Sequence, residues 1–162
     1  MLAGDSAFRV GLVWRGNPLN PLDQDRSAPL AAFSPFAKLD GVSFYSLQVG
    51  PAAEETTSPP AGLRLTDVTD KLEDFADTAA LVANLDLVIS VDTGVAHLAG
   101  ALGKPVWVLL SYIPCWRYLL NRDDSPWYPT MRLFRQKRPG DWGGVIKQVR
   151  NALESLVYEK TS

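Results

Sequence analysis

The chain has a single cysteine, Cys115, and a single histidine, His97. One cysteine excludes an internal disulfide and any multi-cysteine zinc site, and it makes a reducing cytoplasm the natural compartment. One histidine leaves nothing for a histidine-built metal centre, and carboxylates alone would suit only Mg²⁺ or Ca²⁺, so no metal and no cofactor is expected. An excess of either charge is also lacking: the formal net charge is −2, which argues against bulk electrostatic attraction to nucleic acid or an anionic membrane. The one basic run, Arg132, Arg135, Lys137 and Arg138, reads as a solvated strand edge and loop. Asp86, Asp92, His97 and Lys104 interrupt the longest apolar region, so no membrane span is expected. The start, MLAGDSAFRV, lacks the basic region followed by an apolar stretch that marks a secretory signal. There is no internal repeat. The GxGxxG fingerprint and the GxxxxGK phosphate loop are both missing, which counts against an ordinary dinucleotide site and a P-loop ATPase. No GxSxG elbow occurs, so an α/β hydrolase is disfavoured.

What is present is a core: 46% of the residues are hydrophobic, enough for one α/β domain of this length. Strands are expected at Val10–Trp14, Ser43–Gln48, Arg64–Val68 (short), Leu87–Val91, Val106–Leu110 and Met131–Gln136. Helices are expected at Leu30–Leu39, Asp74–Leu85, Val95–Leu102 and Asp141–Tyr158, with Gly50–Gly62 as a helix start or loop. Asp86 to Leu110, DLVISVDTGVAHLAGALGKPVWVLL, is a compact strand–turn–helix–strand unit, which implies parallel strands and a right-handed connection. The alternation predicts an α/β fold: a Rossmann-like doubly wound parallel sheet of about six strands in three layers.

In such a sheet the functional loops follow the strands' carboxyl ends, here Arg15 to Arg26, Gln48 to Pro51, Asp92 to His97 and Ser111 to Arg117. At Thr93-Gly94 a helix start leaves backbone N–H groups without partners and carries partial positive charge, so it attracts an anion. Gly94 allows close approach to the backbone. Thr93 either caps the helix or donates its hydroxyl to a phosphate oxygen. His97, in the first helical turn, is placed to donate to a diphosphate. Arg15, Gly16 and Asn17 after the first strand, and Arg26 later in the same loop, are candidates to grip phosphates from the opposite side, arginine because its planar fork contacts two oxygens at once. Cys115 reads as a buried, inert thiol. The aromatic stretch Trp116 to Tyr128 has the Trp/Tyr/Arg content of an interface anchor.

VGLVWRGNP at Val10–Pro18, FYSLQVG at Phe44–Gly50, the long Asp74–Leu110 segment with its DTGVAH core, and SPWYPTMRLFRQ at Ser125–Gln136 resemble the C-terminal half of GT-B glycosyltransferases, closest to the heptosyltransferase-like family 9. The resemblance implies a nucleoside diphosphate sugar as ligand, with Asp92, Thr93, Gly94, the backbone at Val95 and His97 as donor-site residues and Arg15, Asn17 or Arg26 as the phosphate contact after the first strand. It implies no catalytic residue here, because the base resides on the acceptor half in this family. An N-terminal acceptor domain would precede Phe8, and similar domains follow tetratricopeptide repeats in bacterial proteins. Residues 8–158 are thus expected to form one domain, the C-terminal half of a GT-B enzyme incomplete alone, with flexible ends at 1–7 and 159–162. The alternative is a noncatalytic interaction module of a repeat protein that keeps the fold.

Overall fold

A computed structural model describes residues 7–161. Six strands form one all-parallel sheet: β1 (Phe8–Val13), β2 (Val42–Ser46), β3 (Leu65–Asp67), β4 (Leu87–Val91), β5 (Val106–Leu110) and β6 (Met131–Arg135). Their order across the sheet is β3-β2-β1-β4-β5-β6. That order reverses between β1 and β4, which pair in parallel from Val10↔Leu87 to Val13↔Ser90. A reversal of this kind opens a crevice beyond the strands' carboxyl ends.

Every residue of β4 and β5 is buried, as a strand covered on both faces requires, and both are rich in valine and leucine. Successive side chains alternate between two cores. Leu12, Trp14, Leu87, Ile89, Val91 and Leu109 pack on one side with Phe33, Phe36, Val145, Ile146 and Val149. Val13, Leu47, Val88, Val106, Val108 and Leu110 pack on the other with Val82, Leu85, Ala96 and Ala99. The first face is covered by a 3₁₀ helix at Leu30–Lys38 and by α4 (Trp142–Thr161); the second by α2 (Phe75–Ala83) and α3 (Gly94–Ala101). The expected three-layer, doubly wound Rossmann-like fold is therefore the observed one.

The differences are local. Leu30–Lys38 is a 3₁₀ helix rather than an α-helix and contains Pro35, which removes a backbone donor from the helical ladder. Pro51–Thr57 is also 3₁₀. The polar loop after β1 holds a single helical turn, α1 (Asp23–Arg26). The last helix runs on to Thr161, past the expected end at Tyr158. Of the ends expected to be flexible, residues 1–6 and 162 lie outside the described residues. No helix among the described residues is long and apolar enough to cross a membrane.

Arg132, Lys137 and Arg138 of the basic run are exposed, as expected of a strand edge and loop, and Arg132 and Arg135 make contacts within the chain. Arg132 lies over the rings of Trp107 and Phe134, at 5.7 and 4.8 Å from their centroids. Arg135 donates to the backbone carbonyls of Tyr118 and Arg122, tying the aromatic loop to the sheet.

Candidate functional site

Two helices have aspartate caps. Asp74 accepts from the amides of Ala76 and Asp77 at the start of α2, and Asp141 accepts from Gly144 at the start of α4. In α3 the corresponding residue, Thr93, makes no capping bond; its hydroxyl instead pairs with that of Ser90 at 2.8 Å. The amides of Gly94 and Val95, which have no partner inside a helix, are therefore left uncapped by any side chain. Of its two expected roles, Thr93 does not take the cap. A Cβ at Gly94 would sit 3.2 Å from the exposed Phe75 ring.

This helix start opens on a cleft of about 1350 Å³ that runs beyond the carboxyl ends of the strands. Arg26, Asp92, Thr93, Gly94 and His97 line it. Asp92 is the centre of the polar network. Its carboxylate accepts from the Tyr118 hydroxyl at 2.7 Å, stands 3.7 Å from Arg26 Nη1 and 3.7 Å from His97 Nε2. The last two are beyond hydrogen-bond length and act as charge and dipole contacts. Burial pushes the Asp92 carboxyl up, but His97, the Tyr118 hydroxyl and the Arg26 guanidinium together outweigh it and hold the group below the ordinary aspartate value. Burial, then the charge of Asp92, pushes the Tyr118 hydroxyl up, so it stays protonated and donating. The His97 ring is flanked by Tyr118, nearly parallel with centroids 6.2 Å apart, and by Tyr128 at 5.7 Å.

Arg26 is held from below. Its Nε lies 3.8 Å from Asp23 Oδ1, a carboxylate that also accepts from Ser27 Oγ, which in turn accepts from the Gly16 amide. A Cβ on Gly16 would collide with Asp23, so that glycine shapes the loop that carries Arg26. Nε of Arg26 is buried and has no hydrogen-bond partner among the described residues.

The other sequence candidates lie elsewhere. Arg15 pairs with Glu55, Nε to Oε1 at 2.6 Å. Asn17 Oδ1 accepts from the Leu19 amide, an Asx turn. Gln48 is 3% exposed; its Oε1 accepts from the amides of Trp14 and Arg15 and its Nε2 donates to the Val49 carbonyl, which ties the end of β1 to that of β2. Val95 contributes its uncapped amide but is not among the residues lining the cleft. Cys115 is half-exposed rather than buried, lines the cleft and accepts from Arg117 Nη1 at 3.1 Å. No cluster of three or more metal-ligating side chains occurs among the described residues.

The sequence offers Tyr118 only as one residue of the aromatic stretch and gives Gln136 no role beyond the end of a strand. Tyr118 stands 26 positions from Asp92, a separation that no local pattern bridges. In the aromatic stretch the burial is divided: Tyr118 is 1% exposed, whereas Trp116 is 70% and Trp127 59% exposed.

Residues 47–112, which include the Asp92–His97 turn, match the model of glycosyltransferase family 9 (heptosyltransferase). The fold is similar to that of E. coli ADP-heptose lps heptosyltransferase II, with a TM-score of 0.64 and 16% identity over 98% of this chain and 49% of that one. It is also similar to E. coli heptosyltransferase WaaC with ADP, with a TM-score of 0.62 and 18% identity over 98% of this chain and 46% of that one. For the family 9 glycosyl transferase of Veillonella parvula the TM-score is 0.60 and the identity 18%, over 98% and 48% of the two chains. Protein FlbA of Caulobacter vibrioides is 32% identical over 152 residues, 91% of this chain, which spans 25% of that protein. Residues 47–112 are therefore similar to glycosyltransferase family 9 (heptosyltransferase), and they lie within a Rossmann-like domain whose fold is similar to that of heptosyltransferases and which spans about half the length of those solved chains.

Proposed function

We propose that this domain binds the nucleoside diphosphate part of a sugar donor, and that within a longer chain it forms one half of a glycosyltransferase. The observation that carries the reading is the uncapped start of α3, which faces the cleft beside Arg26 and His97. Backbone N–H groups, the helix dipole and an arginine converge there, and together they suit a diphosphate better than any neutral ligand. The solved relative described with ADP supports the same class of ligand.

During transfer the sugar–phosphate bond breaks and negative charge grows on the departing diphosphate. Amides and a cation already in place stabilise that charge without reorganising. Asp92 acts as a positioning residue: its carboxylate holds Arg26, Tyr118 and His97 around the helix start. The base that takes the acceptor's proton is assigned to an acceptor domain outside these residues, in the cytoplasm, where a lone cysteine stays reduced. The association with tetratricopeptide repeats belongs to the same proposal.

A second reading, a noncatalytic interaction module, is favoured only by the exposure of Trp116 and Trp127. Calorimetric titration of the 162-residue chain with ADP, UDP and GDP separates the two. The donor reading expects at least one nucleotide to bind and Arg26→Ala to abolish the heat; absence of binding by all three leaves the interaction module.

A further inference from the structure

The cleft has a second end. Beyond Asp92 it continues across β5 to the end of β6, where Gln136 lines it next to the aromatic loop. Neighbouring strands lie about 4.8 Å apart, so Gln136 stands roughly 10 Å from Asp92, two strands away. Trp116, Trp127 and Gln136 all fall outside residues 47–112, the segment that matches the family.

Gln136 is 5% exposed. Its Oε1 accepts two backbone amides, Tyr112 and Gly140, each at 3.1 Å. Two donors converging on one atom fix the orientation of the amide, because a flip would set N–H against N–H. Nε2 is thereby left as a buried donor with no acceptor among the described residues. Burying such a donor unpaired is unfavourable, and an oxygen supplied by a ligand would relieve it.

Trp116 and Trp127 line the same cleft. Trp127 Nε1 donates to the Arg117 carbonyl at 3.0 Å. The Arg117 guanidinium lies over the Trp116 ring, 5.3 Å from its centroid, and also reaches Cys115 Sγ. Both indoles line the cleft and remain well over half exposed. A cleft that offers exposed indole faces and a neutral amide donor suits a ligand with one apolar face and a rim of hydroxyls. A pyranose ring has that form.

We propose that the β5–β6 end of the cleft is a saccharide subsite, in which a sugar lies against Trp116 and Trp127 and one of its oxygens accepts from Gln136 Nε2. This rests on the donor reading for its biological role but not for its geometry. The sugar is either the glycosyl group of the donor or a carbohydrate acceptor.

The test is ¹⁵N NMR of the 162-residue chain with glucose, galactose, mannose, N-acetylglucosamine and rhamnose, each at about 50 mM, a level at which millimolar sites are filled. UDP-glucose, UDP-galactose and UDP-N-acetylglucosamine are added separately. The expected result is that at least one sugar or sugar nucleotide shifts the Trp116 and Trp127 indole N–H and the Gln136 side-chain amide signals. Free sugar acting with or without UDP identifies the acceptor side; an effect only of the intact sugar nucleotide identifies the donor sugar. Trp116→Ala, at an exposed position, is expected to keep the melting temperature and weaken the response at least fivefold, and Gln136→Leu to abolish the response. Shifts at Thr93 and Gly94 on adding UDP, with none at Trp116, Trp127 and Gln136 for any ligand, would overturn the subsite and leave the donor reading standing. Sugar shifts at the indoles with none at α3 for ADP, UDP or GDP would do the reverse. An unaltered response in both variants would also overturn the subsite.

Discussion

The hydroxyl of Tyr118 donates to the carboxylate of Asp92 at 2.7 Å, and this single bond ties the aromatic loop after β5 to the end of β4. It joins the two halves of the cleft, because Asp92 faces Arg26 and His97 while Tyr118 follows Trp116 in the chain.

Tyr118→Phe removes that bond and keeps the ring. A hydrogen bond to a charged group contributes about 1.5–3 kcal/mol, so chemical denaturation at neutral pH is expected to show a loss of that order. A loss near zero would mean that packing and the Arg135 bonds to the loop carbonyls hold the loop without it.

The same group sets a pH dependence. The Asp92 carboxyl is held below its ordinary value in the folded chain, so its contribution is fully present above about pH 4, the unfolded value, and is lost as pH falls through the lower folded value. Asp92→Asn is expected to flatten the acid side of the stability curve. In Tyr118→Phe, where one of the groups lowering Asp92 is gone, acid destabilisation is expected to begin at higher pH than in the parent chain.

Gly100→Ala separates packing from helix propensity. The exchange favours an isolated helix by about 1 kcal/mol, but a Cβ at Gly100 would sit 2.6 Å from Cγ of Tyr128. Overpacking of this kind costs about 1–3 kcal/mol, so thermal melting is expected to show a net loss. A gain would show that the Tyr128 ring moves away from α3 freely.

Arg26 distinguishes charge from geometry. Arg26→Lys keeps the cation but loses the planar fork, and calorimetry is expected to show nucleotide affinity reduced at least tenfold, about 1.4 kcal/mol. Full retention by lysine would reduce Arg26 to a bare counter-charge for Asp92 and Asp23.

Much of this architecture is visible in the residues themselves. The β-branched, unbroken strands Leu87–Val91 and Val106–Leu110 announce a sheet covered on both faces, and the turn at Asp92-Thr93-Gly94 marks the helix start. Local pattern fails where a distant partner decides. Leu30–Leu39 has helical spacing, yet Pro35 within it accompanies the 3₁₀ form. Arg15 and Gln48 sit at the correct strand ends for ligand contact, but Glu55 takes the first and the Trp14 and Arg15 amides take the second. Arg26 is held in the cleft by Asp23 and Asp92, which the sequence of its loop does not disclose. Tyr118 is one aromatic residue among several in its stretch, and only the folded chain shows that its hydroxyl meets Asp92.

Gly94→Ala probes close approach at the helix start. The added methyl would meet only the exposed Phe75 ring at 3.2 Å, so stability is expected to change by less than about 1 kcal/mol. Binding of a diphosphate is expected to weaken because the methyl crowds its path to the uncapped amides. Equal affinity in parent and variant would place the anion away from Gly94.

The most direct measurement is an amide chemical-shift map of the chain titrated with ADP and, separately, with UDP and GDP. Binding at the start of α3 predicts that the largest shifts fall at Thr93, Gly94, Val95 and His97, together with the side-chain signals of Arg26, and that these shifts disappear in Arg26→Ala. Saturation by any of the three nucleotides with the largest shifts elsewhere, or no shifts at α3 with all three, would contradict the account.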